Sequence, residues 1–197
     1  MASTHPIKVS GRWREGFALD YHILSSTYLG DDEYGHPMFD TKRTELGALL
    51  YRLKYRSDGS VIDELANTAA QFVSSWNPGA GLIIPVPPSK SYRPEQPVIL
   101  LAEALGKHLS VPVALNCVIR VKNLPELKNV YDYPTRLRLL QGAHSVKQGT
   151  VEGKKILLFD DVYRSGATLN AVTEALYEEG RAAEVYALTL TLTQSKP

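Results

Sequence analysis

Apolar positions along this chain change period several times, and each change marks an element. Residues 1–40 hold no sustained period. "GDDEYGHPMFD" is rich in turn formers and charge, and only "GFALDYHILSS", with its β-branched and aromatic residues, reads as a strand. Helical spacing then begins. Leu46, Leu49, Leu50 and Leu53 form one stripe, and Leu65, Ala69, Phe72, Val73 and Trp76 a second, with the turn "RSDGS" between them.

From Gly81 the pattern alternates. "GLIIPV" predicts a short buried strand, "PVILLAEALGKHL" a helix with Val98, Leu101, Leu105 and Leu109 on one side, and "VPVALNCVI" a second strand. "KKILLF" predicts a third strand, "TLNAVTEALYEEG" a helix closing at Gly180, and "EVYALTLTL" a last strand. The stretch 121–150 takes no assignment and reads as a long loop, the kind of segment that often serves as a lid. Strands alternating with helices predict an α/β fold. Its continuous apolar strands predict a central parallel sheet covered by helices on both faces. Ligands of such sheets sit at the carboxyl ends of the strands. Two loops leave those ends: "PVPPSK" after the first strand and "DDVYRSGAT" after the third.

Composition narrows the classes. The 197 residues are 44% hydrophobic and 22% charged, which suits one good-sized domain or one domain with an appendage. Lys and Arg number 22 against 21 Asp and Glu, a net charge of +1, so nothing global calls for nucleic acid or a membrane surface. The single cysteine, Cys117, excludes an intrachain disulfide and a cysteine zinc cluster, and its apolar strand marks it as core. The start lacks an apolar signal core, and no apolar run approaches the roughly 18 residues of a membrane span, so a cytoplasmic protein is expected.

The chemistry gathers in "ILLFDDVYRSGAT". Asp160 and Asp161 end a buried strand, where two like charges are costly without compensation. The small loop behind them opens a helix, and unpaired N–H groups at a helix N-terminus favour a phosphate. Gly166 and Ala167 permit close approach, and Ser165 and Thr168 add hydroxyl donors. Paired carboxylates hydrogen-bond vicinal ribose hydroxyls or help hold a magnesium ion. Beside a phosphate cradle, ribose hydroxyls spell a ribose 5-phosphate. The Walker loop, the dinucleotide-binding glycine fingerprint and the G-x-S-x-G elbow are all absent from the sequence.

Those thirteen residues resemble the phosphoribosyl-pyrophosphate (PRPP) motif of type I phosphoribosyltransferases. Together with "LLYRLKYRSDGSVIDELA", "LIIPVPPSK" and "GAHSV", they resemble the ComF-like branch, predicted amidophosphoribosyltransferases, over roughly residues 46–192. The resemblance implies a phosphoribosyltransferase domain over 46–197 and an N-terminal hood over 1–45. Relatives usually begin with a cysteine-rich zinc ribbon, which a single cysteine does not permit here. The resemblance further implies that Asp160 and Asp161 bind the ribose hydroxyls and magnesium. Arg164, Ser165, Gly166, Ala167 and Thr168 would hold the 5-phosphate, and Ser89 and Lys90 the pyrophosphate. Lys128 and Arg136 are the candidates for basic residues of the lid.

The implied reaction is magnesium-dependent transfer of the phosphoribosyl group to a nitrogen acceptor with release of pyrophosphate, with Lys90, Asp160 and Asp161 as the catalytic set. The sequence does not name the acceptor. Two alternatives share the fold: a non-catalytic PRPP- or nucleotide-binding regulator, and a competence-type DNA-handling protein. The fold family often dimerises, so a homodimer is among the implied partners. Elsewhere, Lys42, Arg43, Arg52, Lys54 and Arg56 read as a solvated helix face. Asp20, His22, Asp31, Asp32, Glu33 and His36 fit no metal-ligand spacing and read as surface loop.

Overall fold

A computed structural model describes residues 1–88, 96–122 and 132–193. In chain order the elements are β1 (Ile7–Lys8), β2 (Glu15–Tyr21), β3 (Ile23–Asp31), β4 (Pro37–Arg43), α1 (Glu45–Arg56) and α2 (Ile62–Trp76). There follow β5 (Leu82–Pro85), α3 (Pro97–Leu109), β6 (Val118–Arg120), α4 (Tyr133–Leu140), β7 (His144–Val146), β8 (Lys155–Tyr163), α5 (Ala167–Glu178) and β9 (Glu184–Leu192).

The main sheet runs β1-β2-β9-β8-β5. Its interior pairs are parallel, with Ile156 opposite Leu82 and Val185, as the continuous apolar runs predict. The sheet is nevertheless mixed, because β1 pairs antiparallel to β2. Both faces are covered. Leu50 of α1, Leu65 of α2 and Leu101 and Leu105 of α3 pack against Ile83, Leu157 and Leu188. Leu169, Val172 and Leu176 of α5 pack against Ile84, Ile156, Leu158 and Val185. Burying one such leucine is worth about 1.5–3 kcal/mol, so the two layers together hold the sheet.

Side chains alternate between the two layers along the first half of β8. Ile156 and Leu158 belong to the α5 layer, Leu157 and Phe159 to the α1–α3 layer. Beyond Phe159 that alternation does not continue, since Val162 packs with the α1–α3 layer and Tyr163 with the α5 layer.

Three expectations are corrected. Residues 1–40 are not irregular. Glu15–Tyr21 pairs in parallel with β9 inside the main sheet, and β3 and β4 form a separate antiparallel hairpin. Residues 111–119 are not one strand. Val113 makes an isolated bridge to Ile83, and Val118–Arg120 pairs with His144–Val146 in a small sheet of its own. The stretch 121–150 holds helix α4 and β7, with 123–131 outside the described residues. Among the described residues no helix is long and apolar enough to cross a membrane.

Candidate functional site

The carboxyl end of β8 opens into two adjoining cavities. The first, about 200 Å³, is lined by Asp160, the 162–169 segment and Arg136. The second, about 430 Å³, is lined by Lys54, Tyr55, Val86–Pro88, Gln96–Val98, Asp160, Asp161, Val162, Arg164 and Thr168. Asp160, Val162, Arg164 and Thr168 border both.

Loop 164–166 turns sharply into α5. Gly166 sits at φ +72°, the left-handed region, where a Cβ would lie 2.6 Å from the Tyr163 hydroxyl. Asn170 N donates to Gly166 O at 2.8 Å as the helix begins. Among the described residues no side chain caps this helix end. Its N–H groups and partial positive charge therefore face the first cavity. Arg136, only 6% exposed, donates from Nη1 to Ser165 Oγ at 3.0 Å. Burial first, and the Arg164 charge second, lower the Arg136 pKa. Two guanidiniums beside a helix N-terminus make a cavity suited to a phosphate.

In the second cavity Lys54 Nζ lies 2.8 Å from Asp161 Oδ2, with the side chains 24% and 15% exposed. Burial pulls the Lys54 pKa down, but the charge and hydrogen bond of Asp161, with Asp160 behind it, prevail and raise it. Asp160 accepts from the Asp161 backbone N–H at 2.9 Å. Burial and the neighbouring Asp161 charge push the Asp160 carboxyl well above the usual range, to about 8. Two carboxylates on one cleft wall fit a magnesium ion, which commonly takes one or two carboxylates, waters and substrate phosphates rather than a full protein cage. Among the described residues no three metal-ligating side chains gather.

The sequence-read loop residues 164–168, both acids and Arg136 thus share one site. Ser89, Lys90 and Lys128 lie outside the described residues. Val86, Pro87 and Pro88, which lead into Ser89, line the same cleft as the acids. Lys54 was missed. It does not lie on a solvated face but follows Leu46 and Leu50 by eight and four residues, so it continues the buried stripe. A lysine on that stripe was the available signal. Arg52 pairs with Asp58 at 2.7 Å and Arg43 sits 4.1 Å over the Tyr51 ring, so neither reaches the cleft.

Gly47 and Thr44 bring α1 to this place. Thr44 Oγ1 accepts from Gly47 N at 2.9 Å and caps the helix. A Cβ at Gly47 would collide with the His22 carbonyl, so only glycine allows this close approach. Of the N-terminal acids and histidines, Asp31, Glu33 and His36 are exposed, and Asp32 caps the hairpin turn through Tyr34 N and His36 N. Asp20 departs from a surface reading: it is 4% exposed and meets His5 at 3.2 Å. Cys117 is buried as core, and burial raises its thiol pKa.

The chain has the fold of the type I phosphoribosyltransferases. Adenine phosphoribosyltransferase from Saccharomyces cerevisiae superposes with a TM-score of 0.50 at 12% identity, covering 87% of this chain and 85% of that one. No family model matches the chain. Within the fold it is a ComF-like protein. It is 31% identical over 145 residues to the competence protein ComFC of Bacillus subtilis (strain 168), a match covering 72% of this chain. The chain spans 57% of the length of that relative.

Proposed function

We propose that the protein binds PRPP at the carboxyl end of β8 and transfers its phosphoribosyl group to a nitrogen acceptor, releasing pyrophosphate. One observation carries this reading: Asp160 borders both the phosphate-suited cavity of loop 164–168 and the larger cleft flanked by Pro87 and Pro88.

The 5-phosphate would sit against the α5 N-terminus, held by loop N–H groups, Ser165, Thr168, Arg164 and Arg136. Asp160 and Asp161 would take the ribose hydroxyls and so orient the anomeric carbon. The anomeric C–O bond to pyrophosphate then breaks as the C–N bond to the acceptor forms, with positive charge building on the ribose. Ser89 and Lys90 would receive the leaving pyrophosphate. Bound at Asp160 and Asp161, magnesium would neutralise charge on that leaving group. Water otherwise hydrolyses the donor, and Lys128 and Arg136 are the candidates for basic residues that help exclude it. Of residues 1–45, the hairpin β3–β4 stands off the main sheet and is the part available as a hood. A cytoplasmic location and a homodimer belong to the same reading.

The test is calorimetry with PRPP and magnesium, followed by pyrophosphate release across a panel of bases and amines. Binding that is lost in Asp160→Asn/Asp161→Asn, with product formed from some acceptor, supports the transferase. Binding without product for any acceptor favours a regulator. The relative's designation as a competence protein supports DNA handling as the second reading, which predicts salt-sensitive binding of single-stranded DNA and indifference to PRPP.

A further inference from the structure

We infer that Lys54 is a displaceable counter-ion: its ammonium holds the cation position at Asp161 and must move off before a divalent cation can share that carboxylate.

The geometry sets the competition. Lys54 Nζ is 2.8 Å from Asp161 Oδ2, and both side chains are mostly buried. A magnesium ion on the same oxygen would sit about 2.0–2.1 Å away, inside the space the ammonium fills. Two cations that close repel strongly where water is thinned out. Burying the lysine without a partner would be costly, so the pair is what allows it to lie on the apolar stripe of α1. The stem is long and flexible, and it leaves the last turn of the helix.

The anion to which Lys54 would transfer is given by its surroundings. Pro87 and Pro88 line the same cleft and lead into the segment that the PRPP reading assigns to pyrophosphate. This part rests on that reading. Lys54 would thus hand Asp161 to the divalent ion and ribose hydroxyl, and take up the donor's polyphosphate. Divalent ion alone would then bind poorly, and donor and ion would bind together. A purely structural ion pair between α1 and β8 predicts something else: loss of stability on substitution, with no change in cation affinity.

The full chain carrying Lys54→Met keeps the length of the side chain and removes the charge; Lys54→Gln serves if the first variant does not fold. Manganese titrated without donor, followed by electron paramagnetic resonance, should bind the variant about tenfold tighter than the wild type. Magnesium-PRPP should bind about tenfold more weakly to the variant, while ribose 5-phosphate stays within about twofold. Unchanged manganese affinity, or equal losses for PRPP and ribose 5-phosphate, would overturn the inference. If the wild type binds neither phosphoribosyl ligand, the proposed function falls, and the manganese comparison alone decides the role of Lys54.

Discussion

Arg136 Nη1 donates to Ser165 Oγ at 3.0 Å, so helix α4 reaches directly into the loop that opens α5. The two residues are 29 apart in sequence and come from segments of opposite character. One is a small-residue turn after a buried strand. The other is an arginine on a helix of eight residues, Tyr133–Leu140, started by Asp132, whose side chain accepts from Thr135 N. A second bond, Asn170 Nδ2 to the Tyr133 hydroxyl at 3.1 Å, ties the same two helices.

Arg136→Ala should therefore weaken ribose 5-phosphate binding by about tenfold, the scale of one charge-assisted hydrogen bond to an anion. Ser165→Ala should cost less, because the helix N–H groups remain. Isothermal calorimetry with ribose 5-phosphate reads both, and equal affinity in Arg136→Ala and wild type would remove Arg136 from the phosphate site.

The two adjacent acids should respond oppositely in thermal unfolding. Asp161→Asn leaves the Lys54 ammonium buried without its counter-ion and should destabilise by about 2 kcal/mol. Asp160→Asn relieves a desolvated carboxyl next to a like charge and should be neutral or stabilising. Adding Lys54→Met to Asp161→Asn should recover most of the loss.

Gly166→Ala forces a Cβ into the left-handed region and against the Tyr163 hydroxyl at 2.6 Å. A cost of about 1–3 kcal/mol is expected, together with weaker phosphate binding, because the turn that aims the α5 N-terminus has to distort. Far-ultraviolet dichroism during heating and a phosphate titration report the two effects separately.

His144 gives the fold an acid limit. It is 4% exposed, and among the described residues its Nδ1 has no hydrogen-bond partner. Burial, then the Arg120 charge, drive its pKa down to about 4 from 6.5. Between those values the unfolded chain binds a proton that the folded chain refuses. Stability therefore falls as pH drops from about 6.5 to 4, by up to about 3 kcal/mol, and this contribution levels off below. His144→Gln should flatten that limb in a series of denaturant titrations.

Much of this was legible from residue patterns. β5, α3, β8, α5 and β9 lie where apolar runs and helical stripes put them, because each buries a face that a local period encodes. The acids and loop 164–168 were legible for the same reason: they sit within one strand-loop-helix unit. The N-terminal strands were harder. β2 joins the sheet by pairing with β9, and the mixed residues of β3 and β4 satisfy no buried face, since their hairpin is largely exposed. Arg136 is legible only through resemblance, and Lys54 reads as solvent-facing because a near-neutral chain gives its basic run no evident partner.

The sequence alone determined the local units of the core: the strands and helices β5, α3, β8, α5 and β9, that an acid pair ends a buried strand, and that a glycine-turned helix N-terminus follows it. These depend on neighbours within a few residues. The tertiary structure decided what those units meet. It set a lysine from α1 against Asp161 and seated an arginine from α4 on Ser165. Such pairings join groups far apart in the chain. Their partners are chosen by how whole helices pack on a twisted sheet, which no local period records.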